Sequence, residues 1–217
     1  MRKSFIYTIA ICIPLFVALI CLEFISRKID GIPVFSKINF VSQALSAATK
    51  SGASEYHETL GWTLRSNFGT STFSTREHGI RLNVDDTAEE LETLRRDSIV
   101  VVGDSFAAGS EVSNANTWPA FLDRHLDIHV YNGAAGGYGV DQIYLRSLEL
   151  NKLLSPSIII FGILTNDSLR NVYSIYGGGH KPYFTIEETG ELKLQGVPVP
   201  RPDVGKASDV GVIRSIL

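Results

Sequence analysis

Apolar and polar positions follow two regimes along the chain. From Phe5 to Leu22 (FIYTIAICIPLFVALICL) no residue carries a charge. At 1.5 Å per residue, these 18 positions make a helix about 27 Å long, close to the hydrocarbon thickness of a bilayer. Arg2 and Lys3 precede the run, and Glu23, Arg27 and Lys28 follow it. A cleaved signal peptide needs a shorter apolar core and a small-x-small site, which EFISRKID does not offer. A lipoprotein signal needs a small residue before its cysteine, but Ile20 precedes Cys21. An uncleaved signal anchor over residues 1–30, crossing the membrane once, fits best. Basic residues flank both ends, so the positive-inside rule discriminates weakly. The expected orientation puts the N-terminus inside and the bulk of the chain outside the cytoplasm.

The second regime is a regular alternation. Ser98–Gly103 (SIVVVG), Ile128–Asn132 (IHVYN) and Ser157–Leu164 (SIIIFGIL) are short apolar runs that predict strands. Between them lie predicted helices at Trp118–Leu126 and Asp141–Leu154, the second with Asp141 at its acidic start. Buried strands alternating with helices predict an α/β fold with a parallel sheet covered on both faces. A hairpin over Tyr183–Leu194, turning at Glu188–Gly190, follows. Ahead of the alternation, 30–54 resembles a linker with a helical stretch at 40–49. Tyr56–Asn83 predicts short strands around Gly61, Gly69 and Gly79, and Thr87–Arg96 a helix. The expected organisation is an anchor over 1–30, a linker and lead-in over 31–97, and the N-terminal part of an α/β domain from 98 to 217.

Each apolar strand runs into a polar cluster: Gly103-Asp104-Ser105, then Asn132-Gly133-Ala134-Ala135-Gly136-Gly137, then Thr165-Asn166-Asp167. In a parallel sheet these ends share one edge, where α/β folds carry their ligands. Ser105 at a strand-to-helix turn suits a nucleophile whose own amide helps hold an oxyanion. Gly137 offers a second backbone N–H that no side chain blocks, and Asn166 a side-chain amide. Plainer roles fit their neighbours. Asp104 is a helix cap, Gly136 and Gly139 are turn glycines, and Asp167 and Asn171 brace the last loop. Tyr138 and Trp118 are packing aromatics.

Composition narrows the chemistry. The 217 residues are 44% hydrophobic and 20% charged with net charge -3, which excludes a disordered chain and gives no basic surface for nucleic acid. Both cysteines, Cys12 and Cys21, lie in the first apolar run, so the remainder holds neither disulfide nor zinc-cysteine site. His57, His78, His125, His129 and His180 show no metal-ligand spacing. His180, expected on a loop after three glycines, is a candidate substitute base. Gln142 stands where a dinucleotide fingerprint needs its third glycine. No metal or organic cofactor is implied.

VVGDSFAAGSEV, YNGAAGGYGVDQ and ILTNDSLRN, in this order between Ile99 and Asn171, resemble the first three blocks of the SGNH (GDSL-type) hydrolases. The lead-in, with Gly61-Trp62 and Gly79-Ile80, resembles membrane-anchored bacterial members. The resemblance implies a flavodoxin-like three-layer α/β/α sandwich. It also implies a catalytic set of Ser105 as nucleophile and oxyanion N–H, Gly137 as a second oxyanion N–H, and Asn166 as oxyanion side chain. The expected activity is that of a serine esterase acting on O-acyl groups of cell-surface carbohydrate or lipid. Two alternatives use the same scaffold: a carbohydrate O-acyltransferase and a non-catalytic surface protein. The family's late Asp-x-x-His block has no counterpart, and three strands stand where the family has about five. The expectation is a sequence incomplete at its C-terminus, with the base beyond it.

Overall fold

The computed structural model describes residues 2–29, 52–84, 97–176 and 179–201. The predicted helices at 40–49 and Thr87–Arg96 lie outside the described residues. The chain divides into two compact units, Met1–Asn39 and Phe40–Leu217.

The described residues of the first unit form the helix α1 (Arg2–Ile29), which runs unbroken through the whole uncharged segment and through Pro14. Its described side chains are Tyr7 and those of residues 11–25, all exposed. Counted over the described residues, no helix is long and apolar enough to cross a membrane, so the single crossing expected of residues 1–30 is not shown by them.

The second unit opens with an antiparallel pair, β1 (Ser54–His57) and β2 (Gly61–Leu64). Three parallel strands follow: β3 (Ile99–Gly103), β4 (Val130–Asn132) and β5 (Ile158–Gly162). Their spatial order is β4-β3-β5, so β3 is central. Helices α2 (Ser105–Ala108) and α3 (Trp118–His125) connect β3 to β4. Helix α4 (Val140–Leu154) connects β4 to β5. The short helix α5 (Thr165–Arg170) leaves β5. Two small hairpins complete the described chain. One pairs β6 (Ile175–Tyr176) with β7 (Gly179–His180), and the other pairs β8 (Tyr183–Ile186) with β9 (Leu192–Gln195).

The central strand is buried on both faces, and its side chains divide with the strand period of two. Val100 and Val102 face a core with Ile143, Leu150 and Leu154 of α4. Ile99 and Val101 face a second core with Ala107 and Ala108 of α2 and Val130, backed by Leu122 of α3. Helices thus cover both faces of a parallel sheet, the three-layer α/β arrangement expected from the pattern. α4 fits its place because Ile143, Leu150 and Leu154 recur at helical spacing. α3 starts where Thr117 accepts a hydrogen bond from the amide of Ala120, with Pro119 in the first turn.

Two predicted boundaries shift for physical reasons. The third strand ends at Gly162 rather than Leu164, because the Leu164 amide donates to Asp167 Oδ2 and opens α5 instead. His180, expected on a loop, lies in β7, opposite Ile175. The expected boundary at 97/98 is not a packing boundary. Leu60, Leu64 and Ile80 of the lead-in share one core with Val100 and Val102. The Arg81 amide also donates to Asn132 O, adding a bridge to the edge of β4.

Gly103 and Gly162, the last residues of β3 and β5, let α2 lie directly on the strand ends. A Cβ on Gly103 would fall 2.5 Å from the Gly162 carbonyl oxygen and closer still to Ala107 Cβ. A Cβ on Gly162 would fall 2.8 Å from Ala107 Cβ. Backbone cannot yield as a flexible side chain can, so Gly103→Ala is expected to destabilise the fold by about 1–3 kcal/mol. Urea unfolding checks this, with a lower midpoint and an unchanged slope.

Candidate active site

Ser105 is the first residue of α2, at the C-terminal end of the central strand. Asp104 caps this turn, with Oδ1 accepting from the Phe106 amide at 2.9 Å. Gly109 ends it after one turn in the left-handed conformation, φ 72°. The Ser105 amide stands at the helix start, where no intrahelical carbonyl is in reach, and among the described residues nothing else accepts from it. Ser105 is partly exposed at the strand-end edge of the sheet.

The second cluster reaches the same place. A Cβ added to Gly136 would stand 3.9 Å from Ser105 Cβ. Gly137, buried, takes φ 78°, which its lack of a side chain allows. The Gly136 carbonyl accepts from Trp62 Nε1 at 2.9 Å. Tyr138 donates its hydroxyl to Trp62 O at 2.8 Å. Burial pushes the Tyr138 phenol up to about 12, so it remains a donor at ordinary pH. Asn166, from the third cluster, is exposed in the first turn of α5. Because β3 and β5 are parallel neighbours, Ser105 and Asn166 occupy adjacent strand ends on one edge of the sheet.

Arg170 ties the three clusters together. Its Nη1 donates to Asp167 Oδ1 at 2.6 Å, to Tyr138 O at 2.7 Å and to Asp104 Oδ2 at 3.4 Å. Both carboxylates are fully buried. Burial, with Asp104 close by, pushes the Asp167 carboxyl above the usual range; the Leu164 amide and Arg170 oppose it. Arg170 Nε also donates to the Tyr176 hydroxyl at 3.2 Å, which joins the β6–β7 hairpin to the cluster.

Behind the site lies a buried ion pair, Lys181 with Asp141. Lys181 Nζ donates also to Pro182 O at 2.9 Å. Burial pushes Asp141 up and Lys181 down, and each partner counteracts the other's shift. Asn171 Oδ1 accepts from the Asp141 amide at 3.4 Å, so this pair fixes the chain after α5 against the start of α4. Asp141 therefore lies in the first turn, with Gly139 as the cap.

The histidines have other settings. His57 Nδ1 accepts from the Leu60 amide and its Nε2 lies 3.6 Å from Glu149. His125 Nδ1 lies 2.7 Å from Phe121 O, and His129 Nδ1 lies 4.0 Å from Asp123. His78 gives its carbonyl to Arg146. His180 lies beside Gly179, which packs on the Trp62 ring. Among the described residues no histidine is hydrogen-bonded to Ser105, and no group of His, Cys, Asp and Glu could hold a metal ion.

Residues 99–189 match the family model described as GDSL-like Lipase/Acylhydrolase. That segment is similar to the GDSL-like lipases and acylhydrolases. It begins at the central strand and ends in the turn between β8 and β9, so it contains Ser105, Gly137, Asn166 and Arg170. No curated protein matches the chain. Trp62 and Arg81 lie outside the matched residues yet touch the GDSL-like segment at its strand ends. Sequence reasoning missed Arg170 as well as Trp62. For Arg170 a signal existed, since two buried aspartates on one edge require a cation and Arg170 follows Asp167 by one helical turn.

Replacing Arg170 with leucine leaves two buried carboxylates without their cation. Arg170→Leu is expected to cost about 3–5 kcal/mol at pH 7. Burial holds the Asp167 carboxyl of the folded variant above its unfolded value, so it binds a proton more readily than the unfolded chain. The deficit therefore shrinks as pH falls towards 5. Urea unfolding of both proteins at pH 5 and 7 measures the difference.

Proposed function

We propose that this chain is a serine ester hydrolase anchored to a membrane by α1. The convergence of Ser105, Gly137 and Asn166 on one sheet edge, within a GDSL-like segment, carries the reading. Ser105 Oγ attacks the ester carbonyl carbon and forms a tetrahedral intermediate. The amides of Ser105 and Gly137 and the Asn166 side chain hold its oxyanion. The ester C–O bond breaks, the alcohol leaves with a proton, and the acyl group remains on Ser105 Oγ. Water then attacks the acyl-enzyme and releases the acid. The proton from Ser105 requires a base brought to Oγ, for which an imidazole is the fitting group.

The proposed substrates are O-acyl groups on cell-surface carbohydrate or lipid, with the catalytic domain outside the cytoplasm. The uncharged run Phe5–Leu22 inside an unbroken 28-residue helix supports anchoring. Basic residues at both ends suit headgroup contact.

Hydrolysis of p-nitrophenyl acetate tests the chemistry. Ser105→Ala is expected to lower kcat at least about 10³-fold, and Asn166→Ala about 10²- to 10³-fold. Equal rates in wild type and Ser105→Ala overturn the assignment. Alkaline washing of membranes from expressing cells tests the anchor. The full chain is expected to stay in the pellet, and its release into the wash contradicts anchoring.

A further inference from the structure

We infer that Trp62 is a positioning residue for the oxyanion donor Gly137, acting through the peptide bond between Gly136 and Gly137. The inference rests on the reading of Gly137 as an oxyanion donor and adds a residue from outside the GDSL-like segment.

The Gly136–Gly137 peptide is trans, since the one cis bond among the described residues is Val197–Pro198. In a trans peptide the carbonyl and the N–H point in opposite directions. Trp62 Nε1–H holds the Gly136 oxygen at 2.9 Å. That bond fixes the Gly137 N–H on the side away from Trp62. Without it, nothing steric selects the orientation. Rotating a peptide unit changes ψ of the residue before it and φ of the residue after it, and here both residues are glycine. Glycine accepts positive and negative φ about equally, so either orientation of this peptide is open. A donor on the carbonyl decides between them, and only one orientation presents the N–H to an oxyanion held at Ser105.

Trp62 is itself held from three directions. Its carbonyl accepts from the buried Tyr138 hydroxyl at 2.8 Å. Its ring lies 6.0 Å from the Tyr138 ring, tilted against it. Gly179 packs on its far edge, where an added Cβ would stand 3.6 Å from Cε3. The residue after Gly137 is fixed as well, because Tyr138 O accepts from Arg170. Gly137 is the permissive point between two anchored carbonyls, and the anchor on its own peptide is the indole.

Two variants of the full chain in detergent micelles test this. Trp62→Phe keeps an aromatic ring and removes the N–H. Site-specific replacement of Trp62 by benzothienylalanine keeps the indole shape and removes only the donor, so it stands if the first variant folds poorly. Trp118→Phe on α3 is the control. Expected in both Trp62 variants is a displaced Gly137 amide cross-peak in the ¹⁵N–¹H spectrum. A kcat about tenfold lower with KM within about twofold is also expected, less than the loss of a donor outright. The control leaves both readouts unchanged. An unmoved Gly137 cross-peak with unchanged kcat in the benzothienylalanine protein overturns the inference. If wild type shows no Ser105-dependent turnover, the ester reading fails instead, while the cross-peak still decides whether Trp62 orients the peptide.

Discussion

One guanidinium nitrogen, Arg170 Nη1, faces Asp104, Asp167 and the Tyr138 carbonyl. Those three acceptors come from the segments that follow β3, β5 and β4. Two buried carboxylates on one sheet edge would repel each other and, uncompensated, would push the strand ends apart or take up protons. With the cation between them they become a brace. Asp104 then has one oxygen free to cap α2 at the Phe106 amide, which sets Ser105 at the helix start. Asp167 has one free for the Leu164 amide, which begins α5 and places Asn166. The proposed nucleophile and one proposed oxyanion donor are thus positioned by the outer oxygens of the pair that Arg170 holds.

The lead-in is part of this machinery rather than a spacer before it. Arg81 is fully buried, and its guanidinium reaches the carbonyls of Ala108 and Gly109, where the turn that carries Ser105 ends. Its Nε also donates to Asn114 Oδ1 at 3.0 Å. Trp62 holds the peptide before Gly137. The residues that carry the proposed chemistry come from the GDSL-like segment. Part of what holds their backbone in place comes from 52–84. A variant confined to the lead-in can therefore change the site without touching a reacting group.

The alternation of apolar runs made the central sheet, its helices and the shared edge legible before any coordinates. Strand and helix periods are local, and three polar clusters directly after three such strands leave few arrangements. Asp104 as a cap and Asp167 as a loop brace were legible for the same reason, since the bonds to Phe106 and Leu164 that define those roles are local. The bonds that orient the site were not. Trp62 reaches Gly136 across 74 positions, Arg170 reaches Asp104 across 66, and Lys181 reaches Asp141 across 40. No period or spacing encodes such contacts, which depend on how elements pack after they form. The lead-in was misjudged as separate because its strands are four residues long and its core residues, Leu60, Leu64 and Ile80, are too few to show a pattern.

The central claim is that Ser105 is the nucleophile of the site at the strand ends. Treating the folded full chain with a fluorophosphonate and mapping the adduct by peptide mass spectrometry tests it most directly, because phosphonylation needs both an activated hydroxyl and a held oxyanion. The account predicts one adduct, on Ser105, that vanishes when the protein is unfolded in urea before treatment. An adduct on another serine, or none on Ser105 in the folded protein, would contradict it.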